Sequence, residues 1–165
     1  MKSKRLGGDG TRHVLVFDKG DEVVEQLLAF AEQEQVTAAS FSGIGAFSDV
    51  TLGFFERERK DYKRIPLAEQ VEVLTLAGDI AVKDGEPQVH AHVVVGKADG
   101  TAWGGHLLEG HVWPTLELVL VESPDELRRT LDEETRLPLI TIESPPSLGE
   151  DGEEVGGATS LDSRL

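Results

Sequence analysis

Residues 88–111 constrain the fold most, because this segment combines strict alternation, a turn and four of the five histidines. His90 and His92 are two residues apart, so on a β-strand both side chains project from the same face. Val89, Ala91, Val93 and Val95 alternate with them. The segment therefore predicts a strand with one apolar face that enters the core and one face that carries imidazoles.

The turn after this strand decides which side chain lies opposite the histidines. Gly100 can adopt a positive φ angle, which suits a three-residue loop over 98–100 closed by a glycine bulge. That loop places His92 directly opposite His106. A two-residue turn would shift the register by one residue and turn His106 to the other face. A bulge at the glycine pair 104–105 would also change which residues lie opposite each other.

We favour the three-residue loop and therefore predict that His90, His92 and His106 converge on one face. Three neutral imidazoles suit zinc or another first-row transition metal, with water or a fourth protein group completing the coordination. Glu117 is the best fourth candidate, because it alternates with leucines on a later strand and so lies on a polar face. His111, expected in the following turn, is a weaker candidate.

The charge balance limits the classes of partner that the chain can bind. It carries 31 acidic and 16 basic residues, a formal net charge of −15 at pH 7. Proteins that bind nucleic acid normally present a basic surface to the phosphates, so direct DNA binding by this chain alone is not expected. Cysteine is absent, which excludes disulfides and thiolate metal ligands.

The chain divides into a leader, a folded domain and a tail. Residues 1–10 are expected to be a flexible leader, residues 11–142 one domain, and residues 143–165 a disordered acidic tail. The leader lacks the apolar core of a secretory signal. No apolar run approaches the ~18 residues of a membrane-spanning helix. We therefore expect a cytoplasmic protein with no membrane partner.

Short alternating segments dominate the domain and indicate an α+β fold on a mainly antiparallel sheet. A first strand is predicted over 12–17, with His13 at its start as a structural residue. An amphipathic helix capped by Asp18 or Asp21 follows it. A short second helix is predicted from Ser123, with a proline in its first turn.

A Gly-x-Gly sequence over 43–45 raises the question of a phosphate-binding loop. A dinucleotide site requires a third glycine and a helix that begins at the loop, and here the next segment has the composition of a strand. Nucleotide binding is therefore not expected. We interpret these glycines as a tight turn after a short strand, or as a close contact between subunits.

Four motifs together resemble the plant and prokaryote conserved (PPC) domain. They are SGIGAFSDVTLG over 42–53, EVLTLAG over 72–78, the His-Ala-His of residues 90–92, and GGHLLEG over 104–110. The resemblance covers roughly residues 12–142. It implies a sheet of about seven largely antiparallel strands, flanked by one long and one or two short helices, and assembly into homotrimers.

The resemblance also bears on function. In plants the domain accompanies AT-hooks and contacts transcription factors, whereas prokaryotic members usually stand alone, are labelled candidate DNA-binding proteins, and in some cases resemble metal-binding proteins. This chain has no Arg-Gly-Arg-Pro hook. The plant interaction motif Gly-Arg-Phe-Glu-Ile-Leu maps onto residues 69–74, where only its second half is preserved. The trimer is therefore expected, but the plant partners are not.

Three functions follow from these patterns. The first is a homotrimeric metal-binding protein, with zinc as the favoured metal, in a regulatory or ligand-sensing role that includes a small-molecule ligand. The alternative is a metal-dependent enzyme that uses metal-bound water, with Glu109 or Glu117 as general base or as a carboxylate that orients an imidazole. A cupin is disfavoured, because no glutamate follows shortly after the second histidine. The third is DNA binding, against which the charge argues.

Overall fold

Alternation of apolar and polar residues builds most of the chain into β-strands. The computed structural model describes residues 1–7 and 11–142. In chain order the elements are β1 (Lys2–Leu6), β2 (Arg12–Phe17), α1 (Val23–Glu34), β3 (Ala38–Glu56), β4 (Asp61–Leu67), β5 (Val71–Lys83), β6 (Glu86–Gly96), β7 (Ala102–Glu122), β8 (Arg128–Leu131) and β9 (Pro138–Thr141).

The nine strands form one sheet, so the predicted α+β class is confirmed for the described residues but the expected number of strands is too small. The main order is β1-β2-β7-β3-β5-β8-β9, with β4 paired to β3 and with β6 paired to both β5 and β7. Strands β5 and β8 are parallel, through the pair Val82 and Arg128, and all other pairings are antiparallel. The sheet is therefore mixed.

The long strands β3 and β7 pair with each other along most of their length, and three register shifts interrupt the pairing. Such bulges bend a strand and increase its twist. The bends allow the first part of β7 to pair with β6 and its last part to pair with β2. Strand β7 therefore connects β6, β3 and β2 within one continuous sheet.

The predicted turn at the Gly-x-Gly sequence is wrong, because residues 42–46 lie inside the continuous strand β3. A Cβ atom on Gly43 would come within 2.7 Å of the Glu117 carbonyl oxygen, and one on Gly45 would collide with the backbone of Thr115 and Leu116. Glycine is required here because the backbones of β3 and β7 approach closely where the register shifts.

Helix α1 packs its apolar side against β6 and β7. The Glu22 carboxylate accepts a hydrogen bond from the Glu25 backbone N–H at 2.7 Å, so Glu22 is the N-cap in place of the predicted Asp18 or Asp21. The helix ends at Gln35, which adopts a left-handed conformation. Its buried residues are Val23, Leu27, Phe30 and Ala31.

The predicted short helix after β7 does not form. The Ser123 backbone N–H donates to the Ala38 carbonyl at 2.9 Å, which continues the strand pairing and leaves Ser123 in no position to begin a helix. The chain bends at residues 124–125 without forming a helix and then enters β8, where Arg129 is buried. Among the described residues α1 is therefore the only α-helix.

The N-terminal segment of the chain forms a strand at the edge of the sheet. Residues Lys2–Leu6, expected in a flexible leader, pair with β2 as strand β1. The rest of that leader, residues 8–10, and the predicted acidic tail over 143–165 lie outside the described residues. No helix among the residues that the structure covers is both long and apolar enough to cross a membrane.

Gly78 provides a test of the packing under the histidine strand. A Cβ atom here would come within 2.5 Å of Phe41 Cζ and would also meet the His90 carbonyl oxygen. We expect Gly78→Ala to lower the free energy of unfolding by about 2 to 3 kcal/mol through overpacking, measured by urea denaturation. Gly104→Ala is the control, because its closest contacts would be at 3.3 Å. Equal losses in the two variants would contradict this account.

Candidate metal centre

The hairpin of β6 and β7 sets the geometry of the histidine site. The Lys97 N–H donates to the Thr101 carbonyl at 2.8 Å, the Gly100 N–H donates to the Lys97 carbonyl at 2.9 Å, and Gly100 has a φ angle of 82°. The predicted three-residue loop is thus confirmed. His92 lies directly opposite His106, and no register shift occurs at the glycine pair beside it.

The structure brings the three predicted histidines together. Potential ligand nitrogens of His90, His92 and His106 all lie within 4.8 Å of one another. The ring centroids form a nearly equilateral triangle, with separations of 5.1 Å between His90 and His92, 5.2 Å between His90 and His106, and 5.4 Å between His92 and His106. Three imidazoles at this spacing can bind a single transition-metal ion after small side-chain rotations.

The cluster favours neutral imidazoles. Burial, together with the neighbouring His90 and His92, lowers the pKa of His106 from 6.5 to about 4. Burial and the charge of His90 also lower the pKa of His92. Nδ1 of His106 is buried and has no hydrogen-bond partner in the structure. A buried nitrogen with a free lone pair fits a metal ligand, since it otherwise costs free energy.

Tyr62 covers one side of the cluster. Its ring stacks on that of His106, with centroids 4.6 Å apart and an interplanar angle of 23°. Burial raises the pKa of the Tyr62 hydroxyl. The contact arises because β4 pairs with the end of β3 whose Gly53 lies opposite His106. The contact of Tyr62 with the histidines was not predicted from the sequence, although Tyr62 is the one tyrosine of the chain.

Asp79 and Arg129 form a second polar pair, beside His90. Asp79 Oδ2 lies 3.6 Å from His90 Nδ1, and the Arg129 guanidinium donates to Asp79 Oδ1. Burial alone would raise the pKa of Asp79, but the hydrogen bond with His90 and the charge of Arg129 lower it overall. A carboxylate next to Nδ1 orients the ring so that Nε2 is left for a metal. Neither residue was identified from sequence.

A cavity of about 180 Å³ adjoins the cluster. Two of the histidines form part of its wall, and the hairpin of β8 and β9 contributes the opposite part. The site therefore combines three potential metal ligands with enclosed space beside them. The lining residues are Tyr62, Gln88, Val89, His90, His106, Arg129, Leu137, Pro138 and Leu139.

The two glutamates of the sequence analysis lie elsewhere. Glu117 shares the outward face of the sheet, but β3 and β5 lie between its part of β7 and β6, which carries His90 and His92, and neighbouring strands are ~4.8 Å apart. It is not part of the ligand cluster found among the described residues. Glu109 pairs with Arg64 at 3.3 Å. Neither glutamate lines the cavity beside the histidines.

The remaining histidines have their own partners. His111 lies on β7 and not in a turn, and its Nδ1 is 2.8 Å from Asp49 Oδ1, a hydrogen bond that raises the pKa of the imidazole. It is not a member of the cluster within the described chain. His13 is buried, lies 2.6 Å from Glu122 Oε1 and packs edge-on against Phe30. The structural interpretation of His13 agrees with these contacts.

Solved structures of several proteins resemble this fold. A candidate DNA-binding protein from Bacteroides thetaiotaomicron has a TM-score of 0.80 at 28% identity, covering 85% of this chain and 96% of that protein. A plant- and prokaryote-conserved (PPC) protein from Pyrococcus horikoshii has a TM-score of 0.77 at 34% identity, covering 82% and 94%. A metal-containing protein from Archaeoglobus fulgidus has a TM-score of 0.74 at 36% identity, covering 81% and 94%.

Part of the sequence is also similar to a segment of much longer proteins. The bifunctional protein GlmU of Synechococcus strain JA-3-3Ab is 36% identical over 106 residues, which is 63% of this chain. The corresponding protein of strain JA-2-3B'a(2-13) is 33% identical over 108 residues. This chain spans 16% of the length of each of these curated relatives.

The match to a protein family covers most of the folded part of the chain. The sequence pattern of the Plants and Prokaryotes Conserved (PCC) domain extends over residues 4–124. It includes the helix, the strands up to β7 and all three histidines of the cluster. The resemblance found in the sequence motifs is therefore confirmed, and the chain belongs to the Plants and Prokaryotes Conserved (PCC) domain family.

Proposed function

We propose that this protein binds one transition-metal ion per chain, with zinc as the first choice, through His90, His92 and His106, and that it is a homotrimeric ligand-sensing module. The observation that carries the metal proposal is the convergence of three imidazole nitrogens within 4.8 Å. Such a set of nitrogens is typical of zinc sites with one open position. The Archaeoglobus fulgidus relative, described as metal-containing, adds support.

The electrostatics of the cluster support the same proposal. A metal ligand must be a neutral imidazole, and the depressed pKa values of His92 and His106 keep both neutral at pH 7. The Asp79 carboxylate lies beside Nδ1 of His90, which leaves Nε2 of that ring for the metal. Oxygen ligands, which magnesium and calcium prefer, do not belong to the cluster among the described residues.

Ligand sensing is preferred over hydrolysis. A metal with three protein ligands keeps a coordination position for an outside ligand, and the cavity next to His90 and His106 gives that ligand a place. Hydrolysis would also require a general base. Glu109 and Glu117 do not line the cavity, and the Asp79 carboxylate is already paired with Arg129.

An exposed apolar surface supports self-association. Ile44 is 62% exposed and Val119 45% exposed, and the pairing of β3 with β7 places both side chains on the outward face of the sheet. Large apolar side chains exposed next to each other are common where another protein binds. The homotrimer implied by the resemblance to the family would cover it. The acidic net charge makes DNA a poor candidate for the same role.

The metal proposal predicts one zinc ion per chain. Wild-type protein stripped with a chelator, reloaded with zinc and dialysed should retain one equivalent by mass spectrometry of the metal. We expect His92→Ala to weaken zinc binding by at least about 100-fold, because loss of a direct ligand should exceed the 10- to 100-fold effect of losing an outer partner. His111→Ala is the matched control, because His111 pairs with Asp49 outside the cluster. A wild type that retains no zinc would end the proposal.

The trimer is tested by light scattering after gel filtration. The wild type should have three times the chain mass of 17.9 kDa, and Ile44→Glu should shift the mass to that of a single chain, because a carboxylate cannot be buried unpaired in an interface. Ile142→Glu changes an equally apolar residue, 86% exposed and beyond the last strand, and should leave the mass unchanged. A single-chain mass for the wild type would refute the trimer.

The pKa of His106 predicts a loss of stability in mild acid for the metal-free protein. The unfolded chain takes up a proton near pH 6.5, whereas the folded chain does so only near pH 4. Stability is therefore highest above pH 6.5 and falls as the pH drops toward 4. Between pH 7 and pH 5 the urea midpoint of the wild type should fall more than that of His106→Gln. The same decrease in both proteins would contradict the depressed pKa.

A further inference from the structure

The cavity beside the histidines has one charged residue in its wall. That residue is Arg129, whose side chain is 5% exposed. Its Nη1 donates to the Pro138 carbonyl at 3.0 Å, and its Nη2 donates to Asp79. Its Nε is buried and has no hydrogen-bond partner in the structure. Two nitrogens thus attach β8 to its neighbours, while Nε keeps an unused donor on a residue of the cavity wall.

An unpaired donor on a buried guanidinium has a definite chemical preference. Leaving it without an acceptor costs more than for a neutral group. Arginine binds carboxylates especially well, because its planar donors match the two carboxylate oxygens. The side chain therefore favours an anionic ligand in the cavity over a neutral one.

The charge balance of the site leads to the same class of ligand. The charges of Arg129 and Asp79 cancel each other. A divalent ion bound by the histidines would add two positive charges, and none of the described residues that line the cavity is acidic and could balance them. A ligand with a single carboxylate would reduce this excess in a region of low dielectric constant.

The size and the walls of the cavity limit the rest of the ligand. A volume of about 180 Å³ corresponds to about six water molecules at ~30 Å³ each. Val89, Leu137, Pro138 and Leu139 make much of the wall apolar. The space suits a short aliphatic chain.

We infer that this cavity binds a short-chain monocarboxylate, with its carboxylate held by Arg129 and by the metal ion and its alkyl chain packed against β9. The inference rests on the proposed metal function and gives the sensing module a class of ligand. Arg129 then has two roles, as an anchor of the β8–β9 hairpin and as the recognition group for the anion.

Butyrate is a suitable probe, because it fits the volume, and butyramide is its neutral counterpart. Isothermal titration of the zinc-loaded full chain should show butyrate binding at least ten times tighter than butyramide binding. Arg129→Gln should weaken butyrate binding at least ten-fold and leave the weaker butyramide binding nearly unchanged. Equal affinity of the wild type for both compounds would overturn the inference.

A second variant tests the cavity without changing the buried ion pair. Leu139→Trp places a large ring in the cavity and should abolish butyrate binding. Ile140→Trp is the matched control, because Ile140 is the next residue on β9, points to the opposite side of the strand and does not line the cavity. Normal butyrate affinity in Leu139→Trp would overturn the inference even if Arg129→Gln failed to fold.

The same titration separates this inference from the metal proposal. If the chain retains no zinc but butyrate still binds and requires Arg129, the anion site is supported and the metal proposal fails. If the chain retains one zinc and butyrate does not bind, the metal proposal survives and the inference fails. With both correct, removal of zinc by a chelator should weaken butyrate binding at least ten-fold.

Discussion

The register of the β6–β7 hairpin is the constraint on which the site depends. His92 faces His106 only because the loop over 98–100 has three residues, and a shift by one residue would move His106 to the other side of the sheet. The backbone hydrogen bonds from Lys97 to Thr101 and from Gly100 to Lys97 fix that register. The pairing of β6 with β7 therefore sets the positions of His90 and His106 in the cavity wall.

The features predicted correctly from the sequence are the local ones. Loop length, alternation and the glycine at position 100 are enough to place His90, His92 and His106 on one face, because each acts over a few residues. Alternation also gave the correct face for Glu117. It could not give the order of the strands, and two strands in fact lie between Glu117 and the strand of His90 and His92.

The features that were missed depend on contacts between distant parts of the chain. Tyr62 reaches His106 only because β4 folds back on the end of β3. Arg129 reaches Asp79 only because β8 forms beside β5, whereas the serine and proline after β7 favoured a helix. The run over 42–46 has the glycines of a turn, but close approach to β7 requires them inside a strand. In each case tertiary packing overrode the local preference.

The β8–β9 hairpin is joined to the rest of the sheet at few points. One parallel pair links Val82 with Arg128, one backbone hydrogen bond runs from Val82 to Leu127, and the Asp79 ion pair adds a third link. Strand β6, by contrast, pairs with β5 along its whole length and with β7 from His92 onward. Amide hydrogens of the hairpin therefore exchange with solvent sooner than those of β6.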